Sequence, residues 1–199
     1  MSITNSSNLP SCLKEEYLSL VASWLLEEWY ATEDDLVRET DSAYTRGTTR
    51  FGRQKQRISN EHVSGRYPWL GIENNGLDLV FTIVHVPCRF SNDNPDAPKK
   101  RAVLEVHQLQ LRLVEDAEPG EAARFVFVID QGIDGTAEPR VLLLGFSASG
   151  DEVCRWSSDV SVRAIGEATP STPAPVEVKK PIVTPKRRDL DDIEFAEGS

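Results

Sequence analysis

The sequence predicts an α+β fold, in which an N-terminal helix packs on a largely antiparallel, twisted sheet of six to seven strands. Three observations predict it: a helical apolar stripe near the N-terminus, a series of short apolar runs after Tyr67, and a proline-rich C-terminal segment. No helix-length segment separates the apolar runs, which favours an antiparallel meander over parallel crossovers. We predict a flexible start at 1–10, a single globular domain at 11–166 and a disordered tail at 167–199.

The first element is predicted to be a helix of about five turns. Its apolar residues recur at spacings of three and four, and they are Leu13, Tyr17, Leu20, Val21, Trp24 and Leu25. Ser11 is positioned to cap the helix, and Glu15 and Glu16 follow near its positive end. One face of this helix therefore packs deeply.

Charge is segregated along the chain. The formal net charge is -10, yet residues 1–44 hold nine acidic and two basic groups, whereas residues 45–66 hold six basic groups and one acid. The acidic part includes a second, short helix predicted from Thr32 or Glu33 to about Asp41. The overall acidity argues against general affinity for nucleic acid, but it leaves room for one local cationic site.

The strands begin after Tyr67. Asn75 and Gly76 lie between two apolar runs, which is the strongest short signal for a hairpin. Separators rich in turn residues divide the later runs. Strands are predicted at Phe81–Phe90, Ala102–Val114, Arg124–Asp130, Arg140–Phe146, Glu152–Trp156 and Val160–Ile165.

Composition bounds the location of the protein. No apolar run approaches the roughly 18 residues that span a bilayer, and the start MSITNSSNLPS lacks the basic and apolar parts of a secretory signal. Cys12, Cys88 and Cys154 are odd in number and widely spaced, which favours reduced thiols. We therefore predict a cytoplasmic protein that does not contact membranes. The compact plan favours a bacterial or phage source.

The segment from Arg46 to Arg57 is the main candidate contact surface. We interpret it as an outward-facing loop that Gly47 and Gly52 loosen. Guanidinium groups fork two hydrogen bonds to a phosphate or carboxylate, and an aromatic ring stacks on an exposed base. The candidate binding residues are Arg46, Arg50, Phe51, Arg53, Lys55 and Arg57.

Three interpretations of this basic segment are open. It binds nucleic acid, or it docks on an acidic protein such as a second copy of this chain. The third interpretation is neutralisation within the chain, because the arginines follow a strongly acidic region. The carboxylates available for this are Glu33, Asp34, Asp35, Glu39 and Asp41.

Histidines supply the candidate chemistry in the sheet. If Phe81–Phe90 and Ala102–Val114 form a symmetric hairpin, His85 faces His107, and Glu105 lies on the same face as His107. Two imidazoles and a carboxylate suit a divalent metal or proton transfer, although a hydrogen-bonded pair at a core edge explains the pattern equally well. No cofactor motif is present, and no cofactor is predicted.

The tail offers a second contact site. Apolar side chains alternate with acids in a flexible tract, a pattern typical of segments that anchor in a basic-rimmed groove. The residues are Leu190, Asp191, Asp192, Ile193 and Phe195. The letters DDIEF are similar to the acidic tip of bacterial single-stranded-DNA-binding proteins, which implies recruitment of replication and repair enzymes. Those tips end on the phenylalanine, whereas Ala196 to Ser199 follow here and Glu194 replaces proline.

Together these features predict a non-enzymatic accessory or adaptor protein. Its basic segment contacts nucleic acid or an acidic partner, and its tail recruits a second protein. One alternative is an enzyme, or a metal or small-molecule binder, that uses a sheet pocket with His85, Glu105 and His107. Another alternative is an inhibitory protein whose acidic surface imitates nucleic acid.

Overall fold

The computed structural model describes residues 9–93, 121–131 and 138–158. Two helices pack on one face of a six-stranded sheet, which confirms the predicted α+β class. The helices are α1 (Glu15–Asp35) and α2 (Ala43–Val63). The strands are β1 (Leu70–Asn74), β2 (Val80–Ile83), β3 (Val86–Ser91), β4 (Arg124–Asp130), β5 (Arg140–Phe146) and β6 (Glu152–Ser157).

Helix α1 buries the apolar stripe that its sequence predicts. The buried side chains include Leu18, Val21, Ala22, Trp24, Leu25 and Leu26. Glu15 and Glu16 occupy the first turn, where the helix dipole favours carboxylates. The predicted cap at Ser11 is wrong, because the helix begins later and its N-cap residue, Lys14, makes no side-chain capping bond.

The predicted short acidic helix after Thr32 is also wrong. Helix α1 continues through Asp35, and the buried Thr32 hydroxyl donates to the carbonyl oxygen of Glu28 at 2.7 Å. Such a bond within the helix accommodates threonine without ending the helix. The next helix starts after Ser42, whose Oγ accepts from the amide of Thr45 at 3.1 Å.

The sheet order is β1-β2-β3-β4-β5-β6. The hairpin predicted around Asn75 and Gly76 is confirmed, since β1 pairs antiparallel with β2. The Asn74 side chain stabilises the connection by accepting from the Gly76 amide at 2.9 Å. The predicted bounds of β4 and β5 agree with the structure, and β6 is one residue longer than predicted.

The single strand predicted at Phe81–Phe90 is wrong. The chain reverses at Val84 and His85, so this stretch forms the β2–β3 hairpin. Val84 has a φ of 61°, a conformation rare for a β-branched residue. Neither residue is a standard turn former, and the reversal therefore left no signal in the sequence.

The meander is interrupted at one pair of strands. Strands β3 and β4 are parallel, whereas the other four pairs are antiparallel. The sheet therefore consists of two antiparallel three-stranded meanders joined at a β3–β4 seam. The sheet is largely antiparallel as predicted, and its one parallel pair departs from the favoured antiparallel meander. The connection between Ser91 and Arg124 is long enough for a crossover. The strands predicted at Ala102–Val114 and Val160–Ile165 and the tail from 167 lie outside the described residues.

The two faces of the sheet bury different clusters. Alternate residues point to opposite sides of a strand, so β4 contributes Phe125 and Phe127 to the core beneath the helices. A second buried cluster lies on the opposite face and consists of Val126, Val128, Leu142, Leu144 and Phe146. Residues on both faces of β4 and β5 are thus buried, and for this reason the sequences of these strands are nearly continuous apolar runs.

The helices span both halves of the sheet. Helix α1 packs on β4 and β5, and the Trp156 indole of β6 donates to Glu15 at 2.6 Å. Helix α2 packs on β1, and Phe51 stacks on Phe90 of β3 with ring centroids 5.0 Å apart. The helix pair therefore bridges the β3–β4 seam.

We expect Gly145→Ala to lower the free energy of unfolding by about 1–3 kcal/mol. A Cβ at this position would lie 2.3 Å from Sγ of Cys154 and 2.9 Å from Cβ of Ala122. Urea denaturation measures the loss. Gly47→Ala is the matched control, because its Cβ meets nothing within 4 Å. Equal stability of the two variants would contradict the tight packing at Gly145.

Candidate functional site

The basic segment is helical. All residues from Arg46 to Arg57 lie within α2, so the loop interpretation is wrong. Gly47 and Gly52 suggested a loop because glycine is a poor helix former, costing about 1 kcal/mol relative to alanine. Tertiary packing of α2 outweighs that cost, since Ile58 is fully buried and Phe51 packs against the core.

Two arginines of α2 pair with acids at the end of α1. Arg50 forms an ion pair with Glu33, and Arg53 lies 2.8 Å from the Asp35 carboxylate. Arg53 also donates to the carbonyl oxygen of Ala31 at 3.3 Å. The charges predicted to face outward are therefore engaged within the chain, as the neutralisation interpretation requires for these side chains.

Arg57 is the centre of an ionic network. Its guanidinium group lies 3.0 Å from the carboxylate of Glu27, 3.5 Å from that of Glu28 and 2.9 Å from that of Glu61. Glu27 and Glu28 belong to α1, whereas Glu61 lies one turn further along α2. One guanidinium group thus neutralises three carboxylates that would otherwise repel one another.

The remaining candidates of the segment differ in their surroundings. Arg46 donates to the carbonyl oxygen of Asp41, while Lys55 forms no ion pair within the described residues. Phe51 is partly buried by its stack on Phe90 and is not displayed for a base. Binding of nucleic acid or an acidic partner by these six residues stays a prediction.

Hydrogen bonds of Gln54 to α1 and to the residue after β3 fix the position of α2. The buried amide of Gln54 donates to the carbonyl oxygen of Leu25 at 2.9 Å and accepts from Asn92 at 2.8 Å. Arg50 adds a cation–π contact, 4.6 Å above the ring of Trp29. These directional contacts select one rotation of α2 about its own axis, and the paired arginines lie along the flank that faces α1.

The outer face of α2 is uncharged. None of the exposed residues of the helix is an acid, a lysine or an arginine. They are Ala43, Tyr44, Gly47, Thr48, Gly52, Gln56, Asn60, His62 and Val63. Tyr44 is 80% exposed and Val63 is 82% exposed. The sequence analysis did not identify this surface, because it predicted a loop. On a helix, uncharged residues recur every four positions from Tyr44 to Asn60.

The histidine site has only one member within the described residues. His85 is exposed in the β2–β3 turn, so the strand geometry assumed for its pairing with His107 is absent. Glu105 and His107 lie outside the described residues. No group of three or more potential metal ligands occurs among the residues that the structure describes.

The cysteines are free thiols. Cys88 and Cys154 are buried, and burial raises the pKa of both thiols, which are therefore uncharged at neutral pH. Their packing agrees with a role as small apolar side chains.

Comparison of this chain with family models, curated proteins and solved structures found no match. Neither described helix has an apolar stretch able to cross a membrane. The tail candidates Leu190, Asp191, Asp192, Ile193 and Phe195 lie outside the described residues and stay predictions.

We expect Arg57→Met to lower the free energy of unfolding by about 1–2 kcal/mol, because Glu27, Glu28 and Glu61 then repel without a counter-charge. Methionine retains the apolar part of the side chain. Urea denaturation at low salt and at 1 M NaCl measures the loss, and the high-salt loss should be smaller because the Debye length falls to about 3 Å.

Lys55→Met is the matched control for that measurement. It removes one positive charge from the same helix, but Lys55 has no ion pair in the described part of the chain. We expect a change within about 0.5 kcal/mol. Equal losses in the two variants would show that net charge, and not the network, determines the stability.

Proposed function

We propose that the protein is a non-enzymatic cytoplasmic adaptor that binds a partner protein through the outer face of α2. The observation that carries the proposal is the absence of acidic, lysine and arginine side chains among the exposed residues of this helix. The chain as a whole is 27% charged. A surface helix ordinarily turns its charged residues to solvent, whereas here three arginines lie along the flank that faces α1.

The composition of this face suits a protein partner. The centres of protein interfaces are depleted of charge and enriched in aromatic residues. Tyr44 projects at one end, and Val63 at the other, about 28 Å away at 1.5 Å per residue. A helix face of that length suits docking in a groove of a partner protein.

The glycines add a second argument. A Cβ on Gly47 or Gly52 would meet nothing within 4 Å, so the chain's own packing does not require glycine there. Each glycine lowers helix stability by about 1 kcal/mol relative to alanine. Glycine at an exposed helical position lets a partner's backbone approach closely, and we interpret Gly52, near the middle of α2, as the floor of the docking face.

The same geometry weighs against nucleic acid as the ligand of α2. Arg50, Arg53 and Arg57 would have to give up their carboxylate partners to contact phosphates. A protein partner needs no such exchange, because it contacts the uncharged face and leaves the pairs intact. The recruiting role of the tail is a separate part of the proposal that rests on sequence alone.

We expect Gly52→Arg to abolish partner capture while the protein stays folded. The new side chain has open space around its Cβ and places bulk and charge at the centre of the docking face. The measurement is affinity purification of the full chain from extracts of the source organism, with quantitative mass spectrometry. A circular-dichroism melting curve verifies the fold.

Ala148→Arg is the matched control, because it adds the same charge at an exposed position of the β5–β6 turn. Companions that wild type and Ala148→Arg retain and Gly52→Arg loses support the proposal. Identical companions for all three proteins would refute it. Sedimentation of the purified proteins tests whether the companion is a second copy of this chain.

A further inference from the structure

A buried guanidinium group lies on the sheet face opposite the helices. Arg124 begins β4, and the alternation of the strand places its side chain on the same face as Val126 and Val128. Only 7% of Arg124 is exposed. Its guanidinium group stacks on the ring of Phe146, its cross-strand neighbour, at 4.9 Å.

This guanidinium group has no anionic partner within the described residues. Its Nε is enclosed and has no hydrogen-bond acceptor, and none of its nitrogens lies within ion-pair distance of a carboxylate. Carboxylates in the neighbouring turn and on β6 have other partners. Asp151 accepts from Ser149 at 2.6 Å, and Glu152 accepts two hydrogen bonds from Arg155.

A second guanidinium group lies on the same face. Arg89 of β3 pairs with Val126 of β4, which lies two residues after Arg124 on the same face. Arg89 is therefore a diagonal neighbour of Arg124. Burial, and after it the positive charge of Arg89, lowers the pKa of Arg124. Asp78 lies 3.6 Å from Arg89.

Such an arrangement is costly unless an anion completes it. Arginine does not lose its proton in proteins, so Arg124 cannot escape the cost of burial by becoming neutral. A stack on Phe146 offers attraction to the ring but no hydrogen-bond acceptor. The donors of the guanidinium group therefore need oxygen atoms that the described residues do not supply.

We propose that Arg124, with Arg89 beside it, binds a phosphate group. A guanidinium fork matches two oxygens of a phosphate, and the remaining oxygens can accept from a second arginine. The β5–β6 turn offers the approach, since Gly150 is exposed and a Cβ on it would lie 3.5 Å from Nη2 of Arg124.

Phosphate-dependent thermal unfolding of the full chain tests the site. We expect inorganic phosphate to raise Tm saturably by about 3–6 °C relative to chloride at equal ionic strength. Isothermal titration with phosphate should give a stoichiometry of about one under the proposal. Adenosine monophosphate distinguishes the sources: a comparable shift indicates the phosphate of a larger ligand, and a shift with inorganic phosphate alone indicates the free ion.

Arg124→Met removes the charge and retains an unbranched apolar side chain. We expect its Tm in chloride to equal or exceed that of wild type, and its response to phosphate to disappear. Arg89→Met should weaken phosphate binding at least tenfold. Arg155→Met is the matched control on the same face, because its guanidinium group is engaged with Glu152.

Three outcomes would overturn the proposal. Wild type and Arg124→Met could respond equally to phosphate, which would identify a general salt effect. Wild-type protein could show no saturable binding by titration, a result that does not depend on whether any variant folds. Arg124→Met could unfold in chloride while wild type ignores phosphate, which would show that the guanidinium group has its partner inside the chain.

Discussion

The ion pairs between α1 and α2 are the interaction on which the rest of the structure depends. Arg50, Arg53 and Arg57 neutralise carboxylates that α1 concentrates near its C-terminal end. Without them the α1 carboxylates would lie close to one another at the helix contact with no counter-charge. The same pairs turn the charged side chains of α2 sideways, which leaves the outer face uncharged. Stability of the helix pair and the character of its surface are thus two results of one electrostatic arrangement.

The sequence predicted correctly those helices and strands whose apolar residues recur at a regular spacing. The apolar stripe of α1 and the runs of β4 and β5 gave correct elements, because burial on one or both faces sets their pattern directly. The loop predicted at α2 was wrong, because Gly47 and Gly52 disfavour a helix unless the contacts of α2 with α1 and the sheet are known. It also failed at Val84, because a reversal that uses a β-branched residue has no signature in sequence.

The candidate surfaces depend on tertiary contacts that composition does not show. Composition identified the 46–57 segment as unusual, and one of its three interpretations, neutralisation by acids of the same chain, agrees with the observed pairing. Which side of the helix faces outward depends on the rotation that Gln54 fixes through Leu25 and Asn92. The sequence does not single out Arg124, because one arginine at the start of an apolar run is ordinary. Only the strand register shows that Arg89 and Phe146 are its neighbours.

The β3–β4 seam has a consequence for how the chain folds. Each three-stranded meander closes through short connections within its half. Pairing β3 with β4 brings Cys88 beside Phe125 and must close a much longer loop. The helix pair bridges that seam, with α1 mainly on the later meander and α2 on the earlier one. The ion pairs between α1 and α2 therefore also help to hold the two meanders together across the seam.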